Sequence, residues 1–202
     1  MNIKPYIIFF TLISCFTLKG NSEEASATIS DVESYLSSIK SIKAEFIQIS
    51  SDGHVETGEF LFKKPRKVRF AYNPPSDHLV LVNGPSVLII DKEPSSVPQR
   101  YLTSNTPLSL FMGEEPFLRE SGIVKSFSSD PSSINLILSN PEKPRLGDLH
   151  LIFDSDPIAI REWILTNYSG EKVRVIFDKI DLNVNVDNDL FSFSRQISKL
   201  GK

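Results

Sequence analysis

Side chains able to carry covalent or metal chemistry are few in this chain, and their spacing does not assemble them. The three histidines are His54 beside a turn, His78 at the start of an apolar run and His150 inside another. No pair has helical or hairpin-type ligand spacing, so surface histidine is the better reading and zinc is not expected. Ser37-Ser38-Ile39-Lys40 has the bare Ser-x-x-Lys spacing of serine acylases, but the partner motifs are missing and the four residues fall on an amphipathic helix. A Gly-x-Ser-x-Gly elbow does not occur, nor does a phosphate loop or a dinucleotide fingerprint. Asp181, Asn183 and Asn185 follow the opening ligand spacing of a calcium loop, yet Val186 replaces its sharp-turn glycine and Ser192 its distal glutamate. Alternation of Leu182, Val184 and Val186 with Asp181, Asn183, Asn185 and Asp187 reads better as a strand with one wet face. The expectation is a protein that is not an enzyme and uses neither metal nor cofactor.

The single cysteine, Cys15, lies in an apolar stretch at the N-terminus. Lys4 precedes the apolar run from Tyr6 to Leu18 and small residues follow it, the layout of a secretory signal too short to span a bilayer. Residues 1–27 are read as that signal. Ala25-Ser26-Ala27 offers cleavage after Ala27, and Gly20-Asn21-Ser22 is a second option. Residues 28–202 are then read as one exported domain. Leu12-Ile13-Ser14-Cys15 is similar to a bacterial lipobox, a minority reading in which Cys15 carries a lipid anchor; Phe16-Thr17-Leu18 continues the apolar run past it. With a net charge of −3 the chain has no basic field for nucleic acid.

The remainder predicts mainly strands. Ser30 with Glu33 forms a capping-box pattern, and Val32, Tyr35, Leu36 and Ile39 follow at helical spacing. Lys43 to Ile49 and Val55 to Phe62 flank the Asp52-Gly53 hairpin turn, and Gly58 is expected at a bulge or a close approach. Phe60–Phe62, Val68–Tyr72, Leu79–Val82 and Val87–Ile90 are short apolar runs separated by Lys64-Pro65, Pro74-Pro75 and Asn83-Gly84, which predicts an antiparallel meander. Gln99 to Thr103 adds a short strand. Residues 104–113 read as an apolar short helix with Asn105 or Thr106 as cap, Pro107 in the first turn and Gly113 at its end. Strands are expected again over 123–128, 134–139, 148–154, 160–168 and 172–182, with a last edge strand over 190–193. Even spacing of this kind suggests a sandwich or a barrel. The chain is rich in phenylalanine, with 14, but has one tryptophan. These large apolar residues either fill a core or line a ligand cavity, and composition alone leaves both open.

Several segments, in order and at matching spacing, resemble the periplasmic outer-membrane lipoprotein carriers of the LolA type. Val32 to Gln48 is similar to that family's opening helix and its Phe-x-Gln strand, here Phe46 and Gln48. Gly58 to Tyr72 resembles its segment G-x-[LF]-x-x-x-[RK]-P-x-x-x-[RF]-[FW]-x-Y. Pro74-Pro75 and Val82-Asn83-Gly84 match the turns that follow, with Asn83 in place of Asp, and Asn105-Thr106-Pro107-Leu108 is similar to the start of the lid helix. The similarity runs from about Ile29 to Phe193 and is strongest before Gly113. Ser194-Arg195 replaces the prolines that usually end the family's last segment.

The resemblance implies a mainly β fold with a helical lid: an incomplete, curved antiparallel β-barrel enclosing a hydrophobic cavity closed by short helices. It implies a monomeric carrier that binds the acyl chains of outer-membrane lipoproteins released by an inner-membrane ABC transporter. The carrier hands them to an outer-membrane receptor or to the membrane itself. A lipid-anchored receptor of the same fold, or a periplasmic binder of another lipid, are the rival readings. Strand parity places Val68, Phe70 and Tyr72 on one face, opposite Lys67, Arg69 and Ala71. The apolar set is assigned to the cavity, joined by Leu36, Phe46, Phe60, Phe62, Leu108, Phe111 and Met112; Trp163 is left open between cavity and exterior. The family's basic residue before proline, which latches the lid, corresponds to Lys64, a point donor where Arg is more usual. The basic cluster from Lys63 to Arg69 is a second expectation, as a docking surface for the transporter.

Overall fold

The apolar runs pair into a single sheet in a computed structural model of the chain, which describes residues 26–91, 96–112, 118 and 120–199. The strands are β1 (Ser41–Ser50), β2 (Val55–Lys63), β3 (Lys67–Tyr72), β4 (His78–Asn83), β5 (Ser86–Asp91), β6 (Gln99–Leu102), β7 (Val124–Ser129), β8 (Ser133–Ser139), β9 (Asp148–Ser155), β10 (Ile158–Thr166) and β11 (Lys172–Leu182). Their order is β6-β5-β4-β3-β2-β1-β11-β10-β9-β8-β7, antiparallel at every junction. The chain walks outward from β1 to one edge, crosses to the other, and walks back until β11 pairs with β1. The result is a curved, open sheet in which β6 and β7 are edges rather than partners.

The inner face carries one large apolar cluster, to which β1–β3 and β8–β11 all contribute. Helix α1 (Ile29–Ser38) lies on it through Val32, Leu36 and Ile39, all buried. The cap is Thr28, not Ser30. The Asp31 N–H donates to Thr28 Oγ1 at 3.3 Å and the Thr28 N–H donates to Asp31 Oδ2 at 2.8 Å. The capping box is therefore Thr28 with Asp31, two residues upstream of the Ser30–Glu33 pattern, and the shorter acid closes it equally well.

The expected short helix after β6 is two 3₁₀ turns, Thr103–Asn105 and Pro107–Leu110. Thr106 between them is extended, with φ −123° and ψ 147°, as the ring of a following proline demands. Gly113, the expected end of this element, and the signal segment with Cys15 lie outside the described residues, apart from Ser26 and Ala27.

The C-terminal expectations were wrong in a way that matters for the sheet. β11 stops at Leu182 because Asn183 turns left-handed, with φ +58°. Asn183 is held there: its N–H donates to the Ser41 carbonyl at 2.8 Å, and its Oδ1 accepts from the Lys40 N–H at 2.7 Å. The alternating strand expected to continue over 183–187 does not form. Nor does an edge strand over 190–193, where a 3₁₀ turn (Asn188–Phe191) leads into helix α2 (Phe193–Ile197). This segment covers the outer face instead. Phe191 and Val186 bury Leu61, and Phe193 packs on Leu79, Leu81, Leu88 and Ile90. Strands β4 and β5 are thus covered on both sides, which is why Leu79–Val82 and Val87–Ile90 are continuous apolar runs rather than alternating ones.

Candidate functional site

A chain of aromatic rings runs through the inner face. Phe60 and Phe70 face each other across the β2–β3 ladder with centroids 4.9 Å apart. Phe46 on β1 meets Phe70 and Tyr72 edge-on at 5.2 and 5.1 Å. Phe177 on β11 lies 4.9 Å from Phe60 and 4.9 Å from Trp163 on β10. Edge-to-face arrangements dominate, as ring quadrupoles favour. Phe46, Phe60, Phe62, Val68 and Phe70 are all buried in this cluster, as are Leu36 and Met112, while Tyr72, Leu108 and Phe111 pack on it half-buried. All ten residues assigned to the cavity are therefore brought together on one face. They pack on each other, so the interior is lined and filled by the same side chains.

Gly58 explains how the rings fit. A Cβ there would lie 2.1 Å from the Ala71 carbonyl oxygen and 2.7 Å from Phe46 Cε1. The Phe46 ring occupies the space that a side chain at Gly58 would need, so the close approach expected at Gly58 is present.

Residues 103–112 cover the interior from the open side of the sheet, in contact with β8, β9 and β10. Phe111 touches Phe62 at 5.6 Å and Trp163 at 6.2 Å between centroids. The segment has few helical hydrogen bonds of its own, and while Met112 is buried, its apolar side chains Leu108, Leu110 and Phe111 are only half-buried. Segments of this kind belong to the low end of local stability.

Two polar features frame the rings. At one end, Lys64 Nζ donates to the Leu36 carbonyl of α1 at 3.0 Å, so this lysine binds a helix carbonyl rather than only solvent. At the other end, Tyr72 Oη donates to Gln48 Oε1 at 2.8 Å and Gln48 Nε2 donates to Glu56 Oε2 at 3.0 Å. Burial, and secondarily the Glu56 carboxylate, push the Tyr72 hydroxyl well above the usual phenol range, so it stays a neutral donor. Next to Lys64 an open groove of about 540 Å³ is lined by Lys40, Ser41, Lys63, Pro65 and residues 183–186.

Sequence reasoning missed part of the interior. Phe177 was not assigned, although it pairs directly with Phe46; its parity in β11 was the available signal. Trp163, which the sequence leaves open between cavity and exterior, lies inside, 2 % exposed. A register shift between Ile160 and Glu162 breaks the simple alternation of β10, so counting from the strand start misplaces it. Phe153 and the leucines of β8 and β9 complete the far wall. The histidines stay apart: His54 is exposed beside Glu56 at 4.0 Å, His78 approaches Asp91 at 3.9 Å, and His150 pairs with Asn135 at 3.0 Å. Among the described residues no three His, Cys, Asp or Glu side chains come together as metal ligands, and no helix is long and apolar enough to cross a membrane.

The chain is similar in sequence to known proteins. The sequence profile of the family described as "Outer membrane lipoprotein carrier protein LolA" matches residues 37–194. An outer-membrane lipoprotein carrier protein of Coxiella burnetii is 25% identical, over 96% of this chain and 95% of its own. Proteins of the same description from Nitrosomonas europaea and Chromohalobacter salexigens are 24% and 23% identical, over 93% and 86% of this chain and 94% and 82% of theirs. The crystal structure of a LolA superfamily protein from Nitrosomonas europaea aligns over 83% of this chain and 99% of its own, with 11% identity and a TM-score of 0.44, a likeness too loose to argue from.

Proposed function

Because the chain belongs to the outer membrane lipoprotein carrier (LolA) family, we propose that it is a periplasmic chaperone that shields lipoprotein acyl chains in transit to the outer membrane. The observation that carries this reading is the ring-lined inner face lying beneath the short, half-buried segment 103–112. The acyl chains take the place of that segment's apolar side chains against Phe46, Phe60, Phe62, Val68 and Phe70. Leu36, Tyr72, Leu108, Phe111 and Met112 form the rim and lid, and Lys64 is the latch that holds α1 closed. Residues 1–27 direct export and residues 28–202 form the carrier.

The energetics suit a carrier. Leaving an acyl chain in water costs about 0.8 kcal/mol per CH₂ group, so unassisted diffusion of an acylated protein is negligible. Here the apolar lining already packs against lid side chains. A ligand exchanges one set of apolar contacts for another, and net affinity stays low enough for release. The donor in this reading is an inner-membrane ABC transporter, and the acceptor an outer-membrane receptor or the membrane itself.

The test is release from spheroplasts. With the transporter of the same organism present, the mature protein is expected to bring acylated lipoproteins into the supernatant. No release under those conditions would overturn the carrier reading.

A further inference from the structure

Among the described residues, the ring-lined interior contains one side-chain polar atom that its surroundings do not satisfy. Trp163 is buried, and its Nε1–H has no hydrogen-bond partner among the described residues. Two other buried side-chain polar atoms share that state, but neither belongs to the ring-lined interior. Arg69 Nε is on the outer-face parity of β3, and that guanidinium already donates through Nη1 to Glu59 at 3.1 Å. Ser129 Oγ is at the end of the edge strand β7. Around the indole are Phe60 at 5.5 Å, Phe177 at 4.9 Å, Phe70 at 6.0 Å and Phe111 at 6.2 Å. Ring faces are weak acceptors compared with a carbonyl oxygen. A buried donor left unmade costs about 1–3 kcal/mol, and a phenylalanine at this position would pack among the same rings at no such cost.

Of these neighbours, Phe111 is the one on the half-buried covering segment. Lifting that segment removes one of the four rings around the indole. Resting on the carrier reading above, we propose that Trp163 Nε1–H is a built-in donor for a carbonyl oxygen at the root of the bound chains, the ester linkage of a diacylglyceryl group. The aromatic floor recognises hydrocarbon without regard to its linkage. The indole adds selectivity for acyl esters over plain alkyl chains and over ethers, because the projecting ester carbonyl is a stronger acceptor than a hindered ether oxygen and a hydrocarbon chain offers none. Reading one linkage inside an apolar pocket is discriminating, since a ligand without the acceptor leaves the buried donor unpaired.

The experiment uses a diacylglyceryl lipopeptide with ester-linked chains and its dialkyl ether counterpart of equal chain length. The mature protein is expected to bind the ester about fivefold more tightly than the ether, the size of one hydrogen bond to a buried donor. Trp163→Phe is expected to bind both alike, with the affinity that the wild type has for the ether. Equal loss for both probes in the variant, or no ester preference in the wild type, would overturn the inference and leave the carrier reading intact. Binding of neither probe by the wild type would overturn both. A second readout does not depend on the variant folding. The chain has one tryptophan, so its single indole N–H proton resonance is expected to move downfield with the ester probe and not with the ether. Identical shifts with both would overturn the assignment.

Discussion

Lys64 Nζ donates to the carbonyl oxygen of Leu36 at 3.0 Å, joining the end of β2 to the last turn of α1. That turn contains no basic residue of its own. A helix C-terminus carries partial negative charge, so a cation brought from the sheet answers both the orphan carbonyl and the dipole. Lys64→Met is expected to lower stability by about 1 kcal/mol, less than a fully buried charged hydrogen bond because the site is half-exposed. Amide exchange at Ile39, whose N–H shares the Leu36 carbonyl, should accelerate more than exchange in β9. Lys64→Arg should reverse that order, since a guanidinium can bond two carbonyls at once. Equal exchange at Ile39 in all three proteins would deny the latch.

Gly58 lies where Phe46 crosses the β1–β2 ladder. Any side chain there collides with the Ala71 carbonyl, which as backbone cannot swing away. Gly58→Ala is therefore expected to cost about 3 kcal/mol, at the upper end for overpacking. Urea unfolding measures it. A loss under about 1 kcal/mol would mean that β2 and β3 part easily, and that the ring stack does not depend on that approach.

Phe111 of the covering segment packs edge-on to the indole, with centroids 6.2 Å apart. Phe111→Ala removes a half-buried ring and should cost about 1–2 kcal/mol, below the range for a fully buried one. Its larger effect should be on access. With a single tryptophan in the chain, acrylamide quenching reports on Trp163 alone and is expected to rise severalfold in the variant. Unchanged quenching would show that residues 103–112 do not guard the interior.

The meander was legible because each of its turns carried its own chemistry and each run a simple parity. Gly58, Asp52-Gly53 and the faces of β3 needed only local rules. The cap of α1 is not fixed by local pattern, because Ser30–Glu33 and Thr28–Asp31 offer similar capping pairs two residues apart and the hydrogen bonds form at the upstream one. Trp163 was obscured by the register shift in β10. The C-terminal segment was misread for a different reason: Phe191 and Phe193 alternate like a strand, but their partners are Leu61 and the outer face of β4 and β5, far away in sequence. No local rule reports which sheet face remains to be covered, although the unbroken apolar runs of β4 and β5 held the clue.

The turn between β7 and β8 has a predictable acid limit. Asp130 Oδ1 accepts from the N–H of Ser132 at 2.8 Å and of Ser133 at 2.9 Å, and the Ser132 and Ser133 hydroxyls add two more bonds. The hydroxyl and amide of Ser132, then those of Ser133, hold the carboxyl down at about 2. Its folded value lies below the ordinary 3.8, so the unfolded chain binds the proton more readily. Stability from this group is present above pH 3.8, and is lost as pH falls towards about 2. An NMR titration of the Asp130 carboxyl should give a midpoint near 2 in the wild type, and one closer to 3.8 when Ser132 and Ser133 are both alanine. A wild-type midpoint at the ordinary value would deny the cluster.

Removal of the outer-face cover gives the last prediction. Phe191 is completely buried against Leu61 and Val186, and Phe193 packs against Leu79, Leu81, Leu88 and Ile90 and beneath the Arg100 guanidinium, whose carbon lies 5.3 Å from the ring centroid. Phe191→Ala leaves a cavity where nothing small can collapse, at an expected cost of about 3–5 kcal/mol. Truncation after residue 187 goes further, for it bares the continuous apolar runs of β4 and β5 next to the edge strand β6. An exposed apolar sheet face beside an unpaired edge is an aggregation site. The truncated protein should bind a hydrophobic dye and self-associate at micromolar concentration, while Phe193→Ser alone shows the dye response in weaker form. A truncated chain that stayed monomeric by analytical ultracentrifugation would mean that β4 and β5 do not need this cover, and that the C-terminal segment serves something other than the sheet.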